Sequence, residues 1–315
     1  MRVTITPLIA GQRLDKFLTA ASLLGKLSRS QIQKLVKQGL IKINGLTAAS
    51  HYNLKTGDVI SLIKPAAPTR RPDDKKTAAP AFKIPIIDET AEFLVIDKPA
   101  GLAVHGASGD TLADWLKEKY PKIRKVGDDP ERPGLVHRLD KEVSGLMVIA
   151  KTQDSFDNLK KQFQDRTIDK QYAALAYGKI QKDSGVINFP IARAREGYKM
   201  AALPLTVKGQ ISDRGRPAET RFWVIKKFIN YTLLKIKIIT GRTHQIRVHL
   251  AAYGHPLAGD NIYGTAKTRT ANKKLGLNRI FLIAGQLAFT DLAGEPKSYK
   301  INLSQDLKNI LKQIK

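Results

Sequence analysis

Apolar positions recur along this chain with two periods, and the switch between them marks out its elements. Val3 and Ile5 alternate with polar residues and predict a first strand. Leu14, Phe17, Leu18 and Ala21 then fall at i, i+3, i+4 and i+7, one face of a helix. A second helix is predicted from Ser28 or Ser30, both suitable N-caps, with Ile32, Leu35 and Val36 inward and Gly39 at its end. Ile41 to Ile43 runs into Asn44-Gly45, the favoured pair for a type I′ hairpin, and Asp58 to Ile63 closes this small module. Residues 65–82 hold four prolines and four cations with little to bury, which predicts a linker. Beyond it, Phe93 to Ile96 is a strand, and Thr111 to Tyr120 is a helix stopped by Pro121. Another helix, capped by Asp154 or Ser155, carries Phe156, Leu159 and Phe163. Lys170 to Tyr177, Ala218 to Lys227, Tyr231 to Thr240 and Ile280 to Phe289 predict further strands or apolar elements. A helix capped by Thr243 packs Ile246, His249, Leu250 and Tyr253, and Gly254 ends it. Residues 192–217, rich in Arg, Lys and Gly, predict an exposed insertion.

The elements do not alternate in strict βαβ order, so the expected class is α+β: a small module at 1–64, a linker at 65–82, and a larger unit at 83–315. The larger unit should be a mixed, mainly antiparallel sheet with a central cleft.

One stretch departs from plain packing: GLVHRLDKEVSGLMVIAK, residues 134–151. Asp140 lies between Arg138 and Lys141, on a turn just before the buried strand Leu146 to Ala150. By itself this is most simply a turn carboxylate bonding its own backbone.

Charge changes that picture. Lys and Arg number 54 against 28 Asp and Glu, a net charge of +26. An excess this large implies a polyanionic partner, nucleic acid before membrane. The first 64 residues alone hold ten Lys and Arg, against only Asp15 and Asp58. A merely solvated face normally mixes signs. Cysteine is absent, which removes disulfides, Cys-zinc sites and Cys nucleophiles. No apolar run approaches the roughly 18 residues of a membrane span, and the N-terminus lacks a signal-peptide core, so a cytosolic protein is expected.

Other chemistries fall away cheaply. There is no GxxxxGK[ST] phosphate loop and no GxSxG elbow. His137-Arg138-Leu139-Asp140 has neither the Gly-rich loop nor the Asp-Phe-Gly of a kinase around it. His244 and His249 are five apart, off the helical zinc spacing, and no metal or cofactor site is expected. What remains is Asp140 together with TGRTHQIRVHL, residues 240–250. A carboxylate beside an Arg stays ionised and can act as nucleophile or base. Arg247, one turn inside its helix, needs a carboxylate if buried, and Asp140 is the expected partner.

Two resemblances sharpen these expectations. Arg13-Leu14-Asp15, Ser28-Arg29-Ser30, Gly39, Ile43-Asn44-Gly45 and Gly57-Asp58 resemble the S4 RNA-binding fold. That resemblance implies that Arg29, Lys34 and Lys37 face structured RNA, although a solvated helix face fits them equally. GLVHRLDKEVSG, KQYAALAYG and TGRTHQIRVHLAAYGHPLAGDNIYG, with Asp97 to His105 ahead of them, resemble the signature stretches of the RluA family of pseudouridine synthases. The Val104-His105-Gly106 turn looks more like the RluC branch. The chain departs from the family at Val143, where Thr is usual, and at Leu282-Ile283-Ala284, where Leu-His-Ala is usual.

The resemblance implies isomerisation of uridine to pseudouridine in RNA, with large-subunit (23S) ribosomal RNA expected first. No cofactor, membrane or protein partner is required, and a monomer is expected. By motif, Asp140 is the catalytic carboxylate, Tyr172 stacks on the target base, and Arg247 pairs with Asp140. Arg138 fills the RNA stack as the uridine flips out, at a cost of a few kcal/mol, and Arg242 contacts RNA. Competing readings are an RNA chaperone or assembly factor without catalysis, and a nucleoside or glycoside hydrolase. The latter needs two carboxylates flanking the bond, and the sequence offers Asp140 no obvious second acid.

Overall fold

The computed structural model describes residues 2–21, 29–63, 82–106, 111–194, 199–203 and 215–314; the side chains of residues 29–31 and 34 lie outside it as well. The expected linker at 65–82 apart from Phe82, the cap at Ser28, and the side chains of Arg29 and Lys34 therefore fall outside the described residues. The chain divides into two compact units, Met1–Thr77 and Ala78–Lys315.

The first unit runs β1 (Arg2–Thr4), α1 (Leu14–Ala20), α2 (Arg29–Lys37), β2 (Ile41–Ile43), β3 (Leu46–Thr47), β4 (Val59–Leu62). Its antiparallel sheet has the order β1-β4-β2-β3. Leu14, Leu18, Ile32, Val36, Ile41 and Ile60 form the core. Asn44 and Gly45 both have positive φ, 52° and 80°, as the β2–β3 turn requires. The two acids among the described residues of this unit face inward. Asp15 accepts from Arg13 and Gln33. Asp58 accepts from the Lys55 N–H and the Asn44 side chain, and the Lys55 bond leads in lowering its pKa. Burial of these two leaves the outside of residues 2–63, where described, to its cations.

The second unit continues β5 (Ile86–Glu89), β6 (Phe93–Lys98), α3 (Leu112–Lys119), β7 (Ser144–Ala150), α4 (Gln153–Asp165), β8 (Asp169–Tyr177) and β9 (Ser184–Ile187). Then come β10 (Ile191–Arg193), β11 (Met200–Ala202), β12 (Thr220–Lys227), β13 (Tyr231–Ile238), α5 (Gln245–Ala252), α6 (Ala266–Lys274), β14 (Leu282–Thr290), β15 (Pro296–Lys300) and α7 (Gln305–Gln313). Nine strands form one sheet, ordered β5-β6-β7-β14-β8-β13-β12-β9 with β15 on β14. Every pairing is antiparallel except β7 with β14, a two-residue parallel seam of Ser144 with Ile283 and Gly145 with Ala284. The class is α+β with a mixed, mainly antiparallel sheet, as expected. Among the described residues no helix is long and apolar enough to cross a membrane.

The seam fixes the middle of the molecule. β7 is buried along its whole length. Gly145 has φ 122°, and a Cβ there would lie 2.4 Å from the Ala284 carbonyl oxygen, so only glycine lets β14 approach. Val143, where Thr was the family norm, is a buried member of the main core. Ile283, where His was, packs in a second core with Phe281 and Leu307. Apolar replacement at both sites is therefore matched by apolar surroundings.

Three local expectations are corrected. The α4 cap is Thr152, whose hydroxyl accepts the Ser155 N–H, not Asp154 or Ser155. Thr243 does not cap α5. That helix starts at Gln245, and His244 takes the N-cap place in a left-handed conformation, φ 55°. The Gln245 side chain folds back instead, accepting from the Arg242 N–H and the Thr240 hydroxyl. The expected insertion at 192–217 begins with an ordered hairpin, β10 against β11; residues 195–198 and 204–214 lie outside the described residues.

Candidate active site

Asp140 sits on the turn that feeds β7, and that turn is held from behind. The Gly101 N–H donates to the Lys141 carbonyl. The fully buried Lys98 ammonium donates to the carbonyls of Leu102, Pro99 and Lys141 at 2.8, 2.9 and 3.3 Å. Burial lowers the Lys98 pKa to about 7, Arg279 adds to this, and the charge of Asp140 opposes it. The turn opens onto a cleft of about 420 Å³ lined by residues 136–140, α4, β8, the end of β13 and the start of α5.

Arg247 rises into the floor of this cleft from α5 and is 1% exposed. The sequence expectation paired it with Asp140; the structure gives it a closer partner. Its Nε and Nη2 donate to Asp260 at 2.8 and 3.0 Å, a two-pronged bond to a carboxylate that is 0% exposed. Nη1 is left, buried and without a hydrogen bond, 3.5 Å from Asp140 Oδ2 and 3.5 Å from Glu142 Oε2. Burial alone would lower the Arg247 pKa; the Asp260 bond, then the charges of Asp260, Asp140 and Glu142, take it up. One cation thus serves three acids, and the absence of a second acid near Asp140 does not hold. Glu142 lines a different hollow, between the 100–101 turn and α7.

Tyr172 projects into the same cleft from β8, between Ile236 and Ala284 on the neighbouring strands. Burial, and then the charge of Asp140, raises its pKa, so the phenol stays protonated. The rim is cationic. Arg138 is exposed there, Arg166 caps α4, and Lys170 and Arg242 line the walls. Burial lowers the Lys170 pKa to about 8. For Arg242 burial leads the lowering, followed by the charges of Arg216 and Arg166, so these guanidinium groups converge. His137 stacks on Phe163 and accepts the Val148 N–H, and the Lys170 ammonium lies over the same Phe163 ring.

The structure therefore brings Asp140, Tyr172, Arg247, Arg138 and Arg242 to one cleft. Lys37 is exposed on α2 of the other unit. Sequence reasoning missed Asp260, His244 and Tyr263. Asp260 and Tyr263 lie in the GDNIYG part of a stretch already singled out, but the chain gives no local sign of what they touch. Among the described residues no cluster of His, Cys, Asp or Glu could hold a metal ion.

A positively rimmed cleft with a carboxylate at its floor and a buried aromatic beside it suits a polyanion with a flat base. Comparison with known proteins agrees. Residues 92–252 match the model for RNA pseudouridylate synthases, and residues 12–60 match the S4 domain. A ribosomal large subunit pseudouridine synthase D of Nitrosomonas europaea is 37% identical over 100% of this chain and 88% of its own length. A synthase C of Vibrio vulnificus is 32% identical over 98% and 94%. An RNA pseudouridine synthase of Aquifex aeolicus is 40% identical over 84% and 81%. Both C and D designations thus occur, and similarity singles out neither branch. Human RNA pseudouridylate synthase domain containing 1 superposes with a TM-score of 0.57 at 26% identity, covering 70% of this chain and 84% of its own. The chain belongs to the RNA pseudouridylate synthase family, an isomerase of uridine in RNA with an S4 domain ahead of its catalytic unit.

Proposed function

We propose that this enzyme converts uridines of large-subunit (23S) ribosomal RNA to pseudouridine, working in the cytoplasm as a monomer and without a cofactor. Relatives carrying the ribosomal large subunit designation support the substrate class. The residue roles rest on the cleft, and one observation carries them: Asp140, 14% exposed, stands at the cleft floor with the buried Arg247 guanidinium 3.5 Å behind it.

In this reading the 83–315 unit does the chemistry, the 1–64 module grips the RNA, and 65–82 links them. Cations at the rim meet phosphate, and Arg242 is one of them. The target uridine leaves its stack, and Arg138 fills the gap; a guanidinium plane stacks on bases and offsets part of the unstacking cost. The base enters the cleft against Tyr172. Asp140 then acts at the ribose, as nucleophile at C1′ or as base at the 2′ position. The glycosidic bond breaks, the uracil turns, C5 joins C1′, and the proton that leaves C5 is matched by one gained at N1. Atoms balance without any donor, so no cofactor is needed. Arg247 stands behind the carboxylate as its counter-charge. In the S4 module, Arg29, Lys34 and Lys37 contact RNA; its two acids are turned inward, so nothing at its surface competes with phosphate.

Asp140→Asn tests the assignment. Pseudouridine formation on a ribosomal RNA fragment should stop while RNA affinity stays within about threefold, since one carboxylate adds little to phosphate-driven binding. Full activity in that variant removes Asp140 from its role. A wild type that modifies no ribosomal RNA removes the substrate class.

A further inference from the structure

His244 occupies a conformation that costs a non-glycine residue free energy, and its place explains the expense. Left-handed backbone at the start of α5 turns the imidazole into the cleft wall. There Nδ1 lies 2.8 Å from the Tyr263 hydroxyl, and Nε2 lies 3.9 Å from Asp140 Oδ2. The Tyr263 oxygen also takes the backbone N–H of Met200, at 2.9 Å.

These contacts assign hydrogens. A backbone N–H can only donate, so the Tyr263 oxygen accepts from Met200. A phenol has one hydrogen of its own, and His244 Nδ1 at 2.8 Å accepts it when the ring keeps its hydrogen on Nε2, the side that faces the acceptor-only carboxylate of Asp140. A neutral imidazole whose Nδ1 accepts must carry its hydrogen on Nε2. Burial, ahead of the charge of Arg247, lowers the His244 pKa, against the pull of Asp140 and Glu142, which favours the neutral ring. The order is therefore Met200 N–H to Tyr263 O–H to His244, with the Nε2–H directed at Asp140.

Arg247 Nη1 and His244 Nε2 make their nearest approach to Asp140 at the same oxygen, Oδ2. Both distances, 3.5 and 3.9 Å, exceed a hydrogen bond. Catalytic hydrogen bonds are commonly long in the free enzyme and close in the loaded one. Arg247 Nη1 has no hydrogen-bond partner to give up, because Asp260 already takes its Nε and Nη2.

We propose that His244 is a positioning residue: held as the Nε2–H form by Tyr263, it joins Arg247 in taking Oδ2 of Asp140 and so presents Oδ1 to the ribose. The proposal rests on Asp140 being the catalytic carboxylate. Two fixed donors on one oxygen remove the free rotation that would otherwise exchange the two oxygens. The β10–β11 hairpin takes part through Met200, although it lines none of the cleft.

The test uses the full-length protein and three variants. His244→Asn places an amide near Nδ1 and leaves nothing at Nε2. His244→Gln reaches the Nε2 position with an N–H. Tyr263→Phe removes the hydrogen that fixes the ring. Single-turnover rates at saturating ribosomal RNA fragment, with RNA affinity measured separately, are the readout. His244→Asn should lose about 100-fold in rate, as misplacement of a reacting group by an ångström does, with affinity within about threefold. His244→Gln should recover at least tenfold of that. Tyr263→Phe should slow wild type but add almost nothing to His244→Asn, because it acts through the same ring. Nitrogen NMR of labelled histidine in wild type should report Nε2–H. A ring found as Nδ1–H overturns the proposal even if every variant misfolds. Equal rates in the Asn and Gln variants overturn it as well. If Asp140→Asn stays active, the reading beneath it has failed; if Asp140→Asn is dead and His244→Asn is as fast as wild type, only the role of His244 has failed.

Discussion

Asp260→Asn probes the least obvious member of the site. Asp260 is 0% exposed and accepts four hydrogen bonds. Oδ1 takes Arg247 Nη2, the Ile262 N–H and the Tyr263 N–H at 3.0, 2.9 and 3.0 Å; Oδ2 takes Arg247 Nε at 2.8 Å. An asparagine keeps one acceptor oxygen. Placed at Oδ1, it holds three of these bonds, but its amide hydrogens then face the Arg247 Nε–H, donor against donor. The substitution also strips the buried guanidinium of its nearest counter-charge. Breaking one side of a buried ion pair costs about 3–5 kcal/mol. For a domain of this size each kcal/mol moves Tm by about 2–4 °C, so a fall of roughly 6–20 °C is expected in calorimetry. Activity should fall too, even in the folded fraction. Arg247, held by one bond instead of two and without that counter-charge, turns toward Asp140, and a carboxylate bound more tightly to its cation is a poorer nucleophile or base. Single-turnover rates at a temperature where the variant is folded separate that loss from unfolding. A Tm change under about 2 °C with an unchanged rate would refute the claim that Asp260 anchors Arg247.

Gly145→Ala should be more disruptive than its size suggests. The added carbon meets the Ala284 backbone at 2.4 and 2.5 Å, and φ is 122°, so overpacking and backbone strain together should cost about 2–6 kcal/mol, visible as a lowered denaturant midpoint. For pH, burial and the nearby Lys170 charge take the His137 pKa down to about 3 in the fold, from 6.5. The unfolded chain therefore binds one more proton between those values. The contribution is full above about pH 6.5 and declines by about 1.4 kcal/mol per pH unit as pH falls toward 3. His137→Gln keeps an acceptor for Val148 but does not titrate, so its stability between pH 6 and 4 should fall less steeply than wild type; parallel curves would contradict the assignment.

The elements themselves were largely legible. Period-two stretches at 218–227 and 231–240 became β12 and β13, and the Asn44-Gly45 turn adopted the positive φ pair its composition demands. Such features depend on residues within a few positions of one another. Misses came where distant contacts outvote local preference. Thr243 is a better cap than His244 by composition, yet Gln245 bonds back to Thr240 and Arg242, and the ring of His244 is drawn toward Tyr263. The site shows the same division. Asp140, Tyr172 and Arg247 could be located by motif, and they do share a cleft. The partner of Arg247 could not be, because Asp140 and Asp260 are both plausible in sequence and only the fold distinguishes 2.8 from 3.5 Å. Composition predicts only an exposed insertion at residues 192–217; the N–H of Met200 on Tyr263 ties that segment to the site.

The parallel seam between β7 and β14 also orders events in time. Asp140 belongs to the antiparallel run β5-β6-β7, while Tyr172 and Arg247 belong to the part built on β8, β13 and α5. These halves meet along the sheet only through Ser144 with Ile283 and Gly145 with Ala284, residues well over a hundred positions apart. Long-range closure of this kind is slow, since its entropy must be lost before its contacts form. A chain made from its N-terminus completes most of both halves before β14 is available to join them. The cleft is therefore assembled last, and a local opening at this two-residue seam would silence the enzyme while most of its strands remain paired.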